Sequence, residues 1–467
     1  KGRLEADARV EFPDGPELAS SLTSGEELLE LRRATIKDAR SDAVLSAKLA
    51  GQRIEASFAG TLHGASIAAM LKSTPSDSGV AQGDLRLTMD RKQPQNSIAQ
   101  GRIQFEALDL SWLTGMKVLI ERVSLTAEGD DVRVVQGRFA VEDQQFELKG
   151  EGRRTAQGPV IQARLESPGI LLERLRPPPA EKPAPKEKSP LWPLPVTGRI
   201  ELRAGFLQLK RHRIEPFDGS LELEARRARL EVKEARTCGV SFPMELEAVP
   251  DETAAWLHLS MREQELADTI GCLTGGNVAM TGKATLAAEL QTRGRQPDLA
   301  RNLTGTAQAE VRDGRVKKFA LIGNILAFRG LASLEDMEKG EGFPYRRMTA
   351  RGHFAGGRFM LEEGFFDSPA ARLAASGHID LLGANSHLSV LIAPLTTVER
   401  VVGAIPLIGD VFGGTMVALP VAVNGDIRNP VIVPLGPRAI TDQLLGIFER
   451  TLKLPGKLVV PPEQPKP

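Results

Sequence analysis

Along most of the chain, apolar and polar residues alternate one for one, which places successive side chains on opposite faces of an extended strand. In 198–210, GRIELRAGFLQLK, the apolar residues Ile200, Leu202 and Phe206 are set against Glu201 and Arg203. In 219–235, GSLELEARRARLEVKEA, Leu221, Leu223, Leu230 and Val232 alternate with Glu222, Glu224, Arg229, Glu231 and Lys233. The pattern recurs in 132–150, 283–294 and 305–319, mostly opened or closed by glycine. Strand after strand between glycine turns predicts antiparallel hairpins and meanders.

Three short segments carry leucines at helical spacing instead: GASIAAMLKS (64–73), SPGILLERL (167–175) and REQELADTIGCL (262–273). Each spans about two turns, too short to be stable alone. A loosely repeated unit of several strands plus a short helix predicts a repeat architecture rather than one closed core. The stretch 176–195, RPPPAEKPAPKEKSPLWPLP, is rich in proline and lysine and has little to bury. It is expected to be a linker or loop. It divides a β-rich region, 1–175, from a second one, 196–453, which a Pro-rich tail, 454–467, follows. Near the C-terminus, Val401, Val402, Ile405, Leu407, Ile408, Val411 and Phe412 form an apolar stretch broken by Pro406. Beyond it, Ile440, Leu444, Leu445, Phe448 and Leu452 share one helical face. That pair of segments reads as a core or cap, or as an interfacial or partner-binding helix pair.

Composition narrows the function. Lys+Arg and Asp+Glu both number 60, so the balanced charge removes the basic footprint of a nucleic-acid binder. Aromatics are 4% of residues, too few for a surface that stacks bases or sugars. No run of about 18 apolar residues is present, as a membrane-spanning helix would need. The chain opens at Lys1 within strand-like sequence and reads as a fragment lacking an N-terminal export or anchor segment. Cys238 and Cys272 allow one disulfide or two buried thiols.

Candidate chemistry is thin. None of the six histidines, His63, His212, His258, His353, His378 and His387, falls in a metal-binding motif. The loop GGNVAMTGKA (275–284) lacks the glycine spacing of a phosphate loop, and Ala284 stands where Ser or Thr is needed. No nucleophile elbow occurs, and the carboxylates alternate with Lys and Arg as on a solvated strand face. These features predict no catalytic centre, no cofactor and no metal. What remains is the apolar face. Exposing an acyl chain to water costs about 0.8 kcal/mol per methylene, or on the order of 20 kcal/mol for a phospholipid. A carrier must therefore offer a continuous apolar surface, and a repeating one-sided sheet supplies one.

Four segments carry a family resemblance: MTGKATLAAELQTRG (280–294), LARNLTGTAQAEVRDGRVKKFALIGNIL (299–326), the run from Tyr345 to Leu395, and VALPVAVNGDIRNPVIVPL (417–435). In this order they resemble the C-terminal region of the AsmA-like proteins of Gram-negative bacteria. The upstream segments SDAVLSAKLAGQRIEASFAGTLHGASIAAML and AQGDLRLTMDRKQPQNSIAQGRIQFEALDL are similar to the preceding repeats of large members. The resemblance implies a periplasmic β-groove anchored in the inner membrane by an N-terminal helix absent from this chain. It implies lipid transport between the inner and outer membranes, with phospholipid acyl chains and envelope proteins as partners.

Together these readings predict a mainly β protein: an elongated, curled antiparallel sheet repeat forming a groove, with short interspersed helices. Ile200, Leu202, Leu221, Leu223, Leu230, Val232, Leu286 and Leu290 are the expected groove-lining residues. A non-catalytic assembly factor for outer-membrane or envelope proteins is the alternative, distinguished by long unpaired sheet edges. A carbohydrate-active enzyme would instead show a cleft of clustered carboxylates.

Overall fold

The computed structural model describes residues 4–12, 16–24, 28–71, 79–90, 97–111, 116–175, 192–194, 196–276, 280–317, 325, 342–380, 382–395, 418–427, 429–436 and 444–447. Most of 176–195, the apolar stretch 401–412, the tail 454–467, and Ile440, Phe448 and Leu452 lie outside the described residues. The protein is mainly β, as the alternation predicts, and only a few short helices interrupt the strands. Two compact units form, one from Lys1–Arg236 with Glu245–Pro250, the other from Thr237–Met244 with Asp251–Pro467.

The first unit is a meander of long strands: β1 (Leu4–Glu11), β2 (Glu17–Ser24), β3 (Leu28–Lys37), β4 (Asp42–Ala50), β5 (Arg53–His63), β6 (Val80–Asp90), β7 (Ile98–Asp109), β8 (Val118–Gly129), β9 (Asp131–Val141), β10 (Gln144–Thr155) and β11 (Gly158–Ser167). Each pairs antiparallel with the next in sequence. The turns follow local rules: Glu142 and Asp143, both at positive φ, close the tight hairpin between β9 and β10.

After β11 the direction of pairing changes. A short strand, β12 (Ile170–Leu171), leaves the ladder, and the chain returns as β13 (Thr197–Ala204), which pairs parallel to β11. The expected division at 176–195 is therefore not where the sheet ends. Val160 pairs with Thr197 and Ser167 with Ala204, so the ladder continues across the insert. A small sheet joins β12 to β14 (Leu207–Leu209) and β15 (His212–Ile214), and β16 (Phe217–Glu224) and β17 (Arg227–Thr237) extend the main ladder beyond β13. Of the three helices expected, two form in part, as α1 (Gly64–Leu71) within 64–73 and α2 (Leu266–Thr274), which starts late because residues 262–265 stay in the preceding strand. SPGILLERL forms none. There the Ile170 and Leu172 N–H groups donate to Phe206 and Gln208 carbonyls at 2.9 and 3.1 Å, so strand pairing takes the donors a helix would use.

β18 (Val240–Ser241) opens the second unit, β19 (Met244–Val249) falls almost wholly in the first, and the second continues with β20 (Glu252–Glu265), β21 (Lys283–Gly294), β22 (Thr304–Val316), β23 (Phe343–Ala355), β24 (Arg358–Asp367), β25 (Ala371–Asp380), β26 (Asn385–Pro394), β27 (Leu419–Asp426) and β28 (Val431–Pro434). From β20 onward every neighbour pair is antiparallel. One face of this sheet buries Val311, Phe366, Leu373, Val390, Ile392, Val421 and Val423, with Ile325 and Met280 in the same cluster and Leu266 and Ile270 of α2 packed against it. The opposite face is covered at one end, where Phe365, Ala374 and Leu391 meet Leu444 and Ile447 of a helical turn at 444–447. These two side chains, 1% and 3% exposed, give the expected C-terminal helical face a core role where it is described.

Cys238, in the turn after β17, and Cys272, in α2, form a disulfide with Cα atoms 5.5 Å apart. The open alternative of two free thiols is thereby settled.

Candidate functional site

The register of the first unit turns the alternation of single strands into rows that cross the sheet. Leu45 lies opposite Phe58, Phe58 opposite Leu85, and Leu85 opposite Gly101. A parallel row runs from Ile103 through Leu125, Val134, Gly150 and Ala163 to Ile200, Leu221 and Leu230. A third joins Phe105, Val123, Gly137, Leu148, Leu165 and Leu202 to Gly219 and Val232. All belong to one face. Ten steps from β1 to β11 and three more through β13, β16 and β17, at about 4.8 Å each, make an apolar strip roughly 60 Å wide.

The strip is only partly covered. Leu85, Leu125, Val134, Leu148, Ile161, Ile200, Leu221 and Leu230 are all half-buried. α1 covers one end, where Ile67 joins the Ile36, Ala43 and Leu62 cluster. Ile170, Leu172 and Leu175 pack on Phe139, Phe146, Leu165, Leu202 and Phe217 further along. Toward the opposite ends of the strands lies a hollow of about 460 Å³ lined by Leu87, Ala99, Val132, Pro159 and Val196. A second, of about 570 Å³, lies beside Phe139, Phe146 and Phe217, with Arg138, Glu147, Arg203 and Asp218 on its walls.

Glycines recur within the apolar rows. Gly101, at φ +117°, faces the Asp84 carbonyl so closely that a Cβ would collide with it. Gly198, at φ +125°, stands in the same relation to the Ile161 carbonyl. Such positions let a strand bend sharply where a side chain would hold it straight.

The opposite face is a lattice of charge. Arg199 pairs with Glu222 at 2.8 Å, Arg229 with Glu245 at 2.8 Å, Arg164 with Glu201 at 2.7 Å and Arg133 with Glu151 at 3.6 Å. The hydrogen bond from Arg164 holds the Glu201 carboxyl below its ordinary pKa. Exposed pairs of this kind add little stability each. They keep this face wetted and leave the apolar face as the one to cover.

Six of the eight expected lining residues, Ile200, Leu202, Leu221, Leu223, Leu230 and Val232, come together on the strip. Val232 is 4% exposed, buried within it rather than open on it. Leu286 and Leu290 do not join them, because they belong to the second unit, where Leu286 packs against the closed core. Leu85, Leu125, Leu148 and Ile161, which sequence reading passed over, belong to the same face. Their own strands alternate clearly, and only the cross-strand register shows that they continue the rows.

No protein-family model and no curated protein sequence matches the chain. The side chains themselves carry the functional argument. A gathering of Asp38, Ser41, Ser66 and His63 at the end of α1 is the nearest approach to a nucleophile cluster. The Ser66 hydroxyl donates to Asp38 Oδ2 at 2.5 Å, and Ser41 Oγ lies 2.6 Å from Ser66 Oγ and accepts from the His63 backbone N–H. Both hydroxyls are buried and dock the helix. Among the described residues, no three His, Cys, Asp or Glu side chains group as metal ligands, and no helix is long and apolar enough to cross a membrane. Among the described residues the most buried charge is Glu310, 2% exposed, which pairs with Arg312 at 2.6 Å and Arg347 at 2.9 Å in the second unit.

Proposed function

We propose that the first unit carries phospholipid acyl chains along its apolar strip, as a non-catalytic conduit between the inner and outer membranes. The observation that carries this reading is the row from Ile103 to Leu230, continuous across the sheet and half-buried from Leu125 onward. A closed two-layer core would bury these side chains as fully as the second unit buries Val390 and Ile392, 2% and 0% exposed. The strip is long in the direction that crosses strands, and it offers shielding throughout rather than one shaped pocket. The Cys238–Cys272 bridge supports placement in an oxidising compartment such as the periplasm. The inner-membrane anchor and the envelope partners belong to the same proposal and rest on the resemblance to AsmA-like proteins.

The test is native mass spectrometry with lipid extraction on the chain purified from a Gram-negative periplasm. Phospholipid is expected to co-purify at one or more molecules per chain. Leu221 and Leu230 are direct cross-strand neighbours, and the paired change Leu221→Glu with Leu230→Glu should abolish lipid retention while the far-UV spectrum stays unchanged. A lipid-free wild-type chain, or a variant that unfolds because these positions belong to a closed core, would overturn the reading.

A second reading draws on β28. Among the described residues it pairs only with β27, and Val431 and Val433 are 61% and 44% exposed. A short apolar edge strand of this kind can accept an added strand, which favours an assembly role with an envelope protein.

A further inference from the structure

Four of the six histidines fall on one cross-strand row of the second unit's sheet, on the face opposite its main core. His258 lies opposite Glu289, Glu289 opposite Thr306, and Thr306 opposite His353. His353 then faces Met360, Met360 faces His378, His378 faces His387, and His387 faces Asn424. Nothing in the fold requires this. A solvated strand face accepts any polar residue, and imidazole is an uncommon choice beside the Arg and Glu used elsewhere.

The members of the row are not equivalent. His353 is engaged: its Nδ1 lies 2.8 Å from Glu362 Oε1. His258 stands across from a carboxylate. His378 and His387 instead face each other, with ring centres 5.0 Å apart and planes inclined by 38°. Two imidazoles bound to one ion through nitrogens at about 2.0–2.1 Å place their ring centres about 5 Å apart. The separation already present is the one a chelated ion needs. His387 is also oriented for the task. Its Nδ1 is 3.2 Å from Asn424 Oδ1, and an amide oxygen can only accept, so in the neutral ring the proton sits on Nδ1 and the lone pair is on Nε2. A hydrogen bond on one ring nitrogen that directs the other is the usual support of a metal-bound histidine.

We propose that His378 and His387 form a chelating site for a late first-row transition-metal ion, with the Met360 thioether beside it. Met360 stands directly across from His378 on the side away from His387, and both are half-buried while His387 is exposed. Asp380, two residues from His378 on the same face, interacts with it electrostatically and adds negative charge at the rim, partly offset by Arg358 opposite. Two imidazoles and a thioether select copper over zinc, both by ligand softness and by the general affinity order of divalent ions. The site is independent of lipid carriage, because it lies in the other unit, on the face opposite that unit's main core.

The experiment is a titration of the full chain with copper(II) and, separately, zinc, followed by calorimetry and by electron paramagnetic resonance of the copper form. One copper per chain with nitrogen coupling from two imidazoles is expected, with zinc binding more weakly. His378→Ala and His387→Asn should each weaken copper by at least about tenfold, whereas His258→Ala and His353→Ala should leave it unchanged. Met360→Leu should weaken copper(I), measured under ascorbate, and spare zinc. Copper should also raise the melting temperature of the wild type and not of the His378 and His387 variants. Absence of copper binding, or undiminished binding by the His378→Ala/His387→Asn double variant, would overturn the proposal. So would equal losses in the His258 and His353 variants.

Discussion

Asp38 shows how much a single carboxylate organises. Its Oδ1 accepts the backbone N–H groups of Arg40 and Ser41 at 2.7 and 2.6 Å, and its Oδ2 accepts the Ser66 hydroxyl from the first turn of α1. Burial by itself would raise its pKa, but the hydrogen bonds from Ser66, Ser41 and Arg40 outweigh it and hold the carboxyl below its ordinary value. A depressed folded-state pKa means that this stabilisation is fully present above the ordinary carboxylate value of about 4. It is lost as pH falls through the depressed value. Asp38→Ala is expected to cost about 1–2 kcal/mol at neutral pH, and hydrogen-exchange protection in α1 should fall in the variant and, at acid pH, in the wild type. Equal protection at pH 3 and pH 7 would count against the assignment. The histidine row offers the opposite lesson about single residues. Each of its members looked like an isolated solvated side chain in the sequence, because their adjacency depends on pairings between strands that the linear pattern does not specify. The lining residues Ile200, Leu221 and Leu230 were legible as apolar members of their own strands, whereas the assignment of Leu286 to the same groove ignored which sheet would bury it.

Among the elements, α2 depends on its crosslink. It has nine residues, lacks a side-chain cap at its N-terminus, and contributes Leu266 and Ile270 to the second unit's core. A helix this short is not stable on its own. The disulfide to Cys238 closes a sequence separation of 34 residues, worth about 3–4 kcal/mol by loop-closure entropy. Cys272→Ser should therefore lower stability by about 3 kcal/mol, measured by denaturant unfolding, with most of the added exchange in α2. A loss below roughly 0.5 kcal/mol would show that packing alone holds the helix. The pairing itself was only an option in the sequence, since two cysteines far apart along the chain permit a bridge without requiring one. SPGILLERL misled for a related reason: leucine spacing suggested a helix, but a neighbouring strand edge was there to capture its N–H groups.

At the scale of the whole molecule, the strand content and the two-faced alternation were readable because a period of two survives any pairing order. The parallel step from β11 to β13 was not readable, because it is set by where the chain returns after a proline-rich excursion. Under the proposed function, an apolar strip roughly 60 Å wide is several times the width of an acyl chain. Native mass spectra should accordingly show a series of species carrying more than one phospholipid per chain. A single saturating lipid would point to one discrete pocket, such as the hollow beside Phe139, Phe146 and Phe217.

The parallel step has a kinetic meaning as well. Antiparallel neighbours are joined by a turn at one rim, but a parallel neighbour obliges the chain to travel back from the Ser167 end to the Thr197 end of the strands. The first part of that return, Ile170 to Leu175, rests on the apolar rows themselves. A molecule moving along the strip would meet a crossbar there and would have to displace it or slip under it. The tempo of any such traffic would then be governed at this one junction, however smooth the rows are on either side.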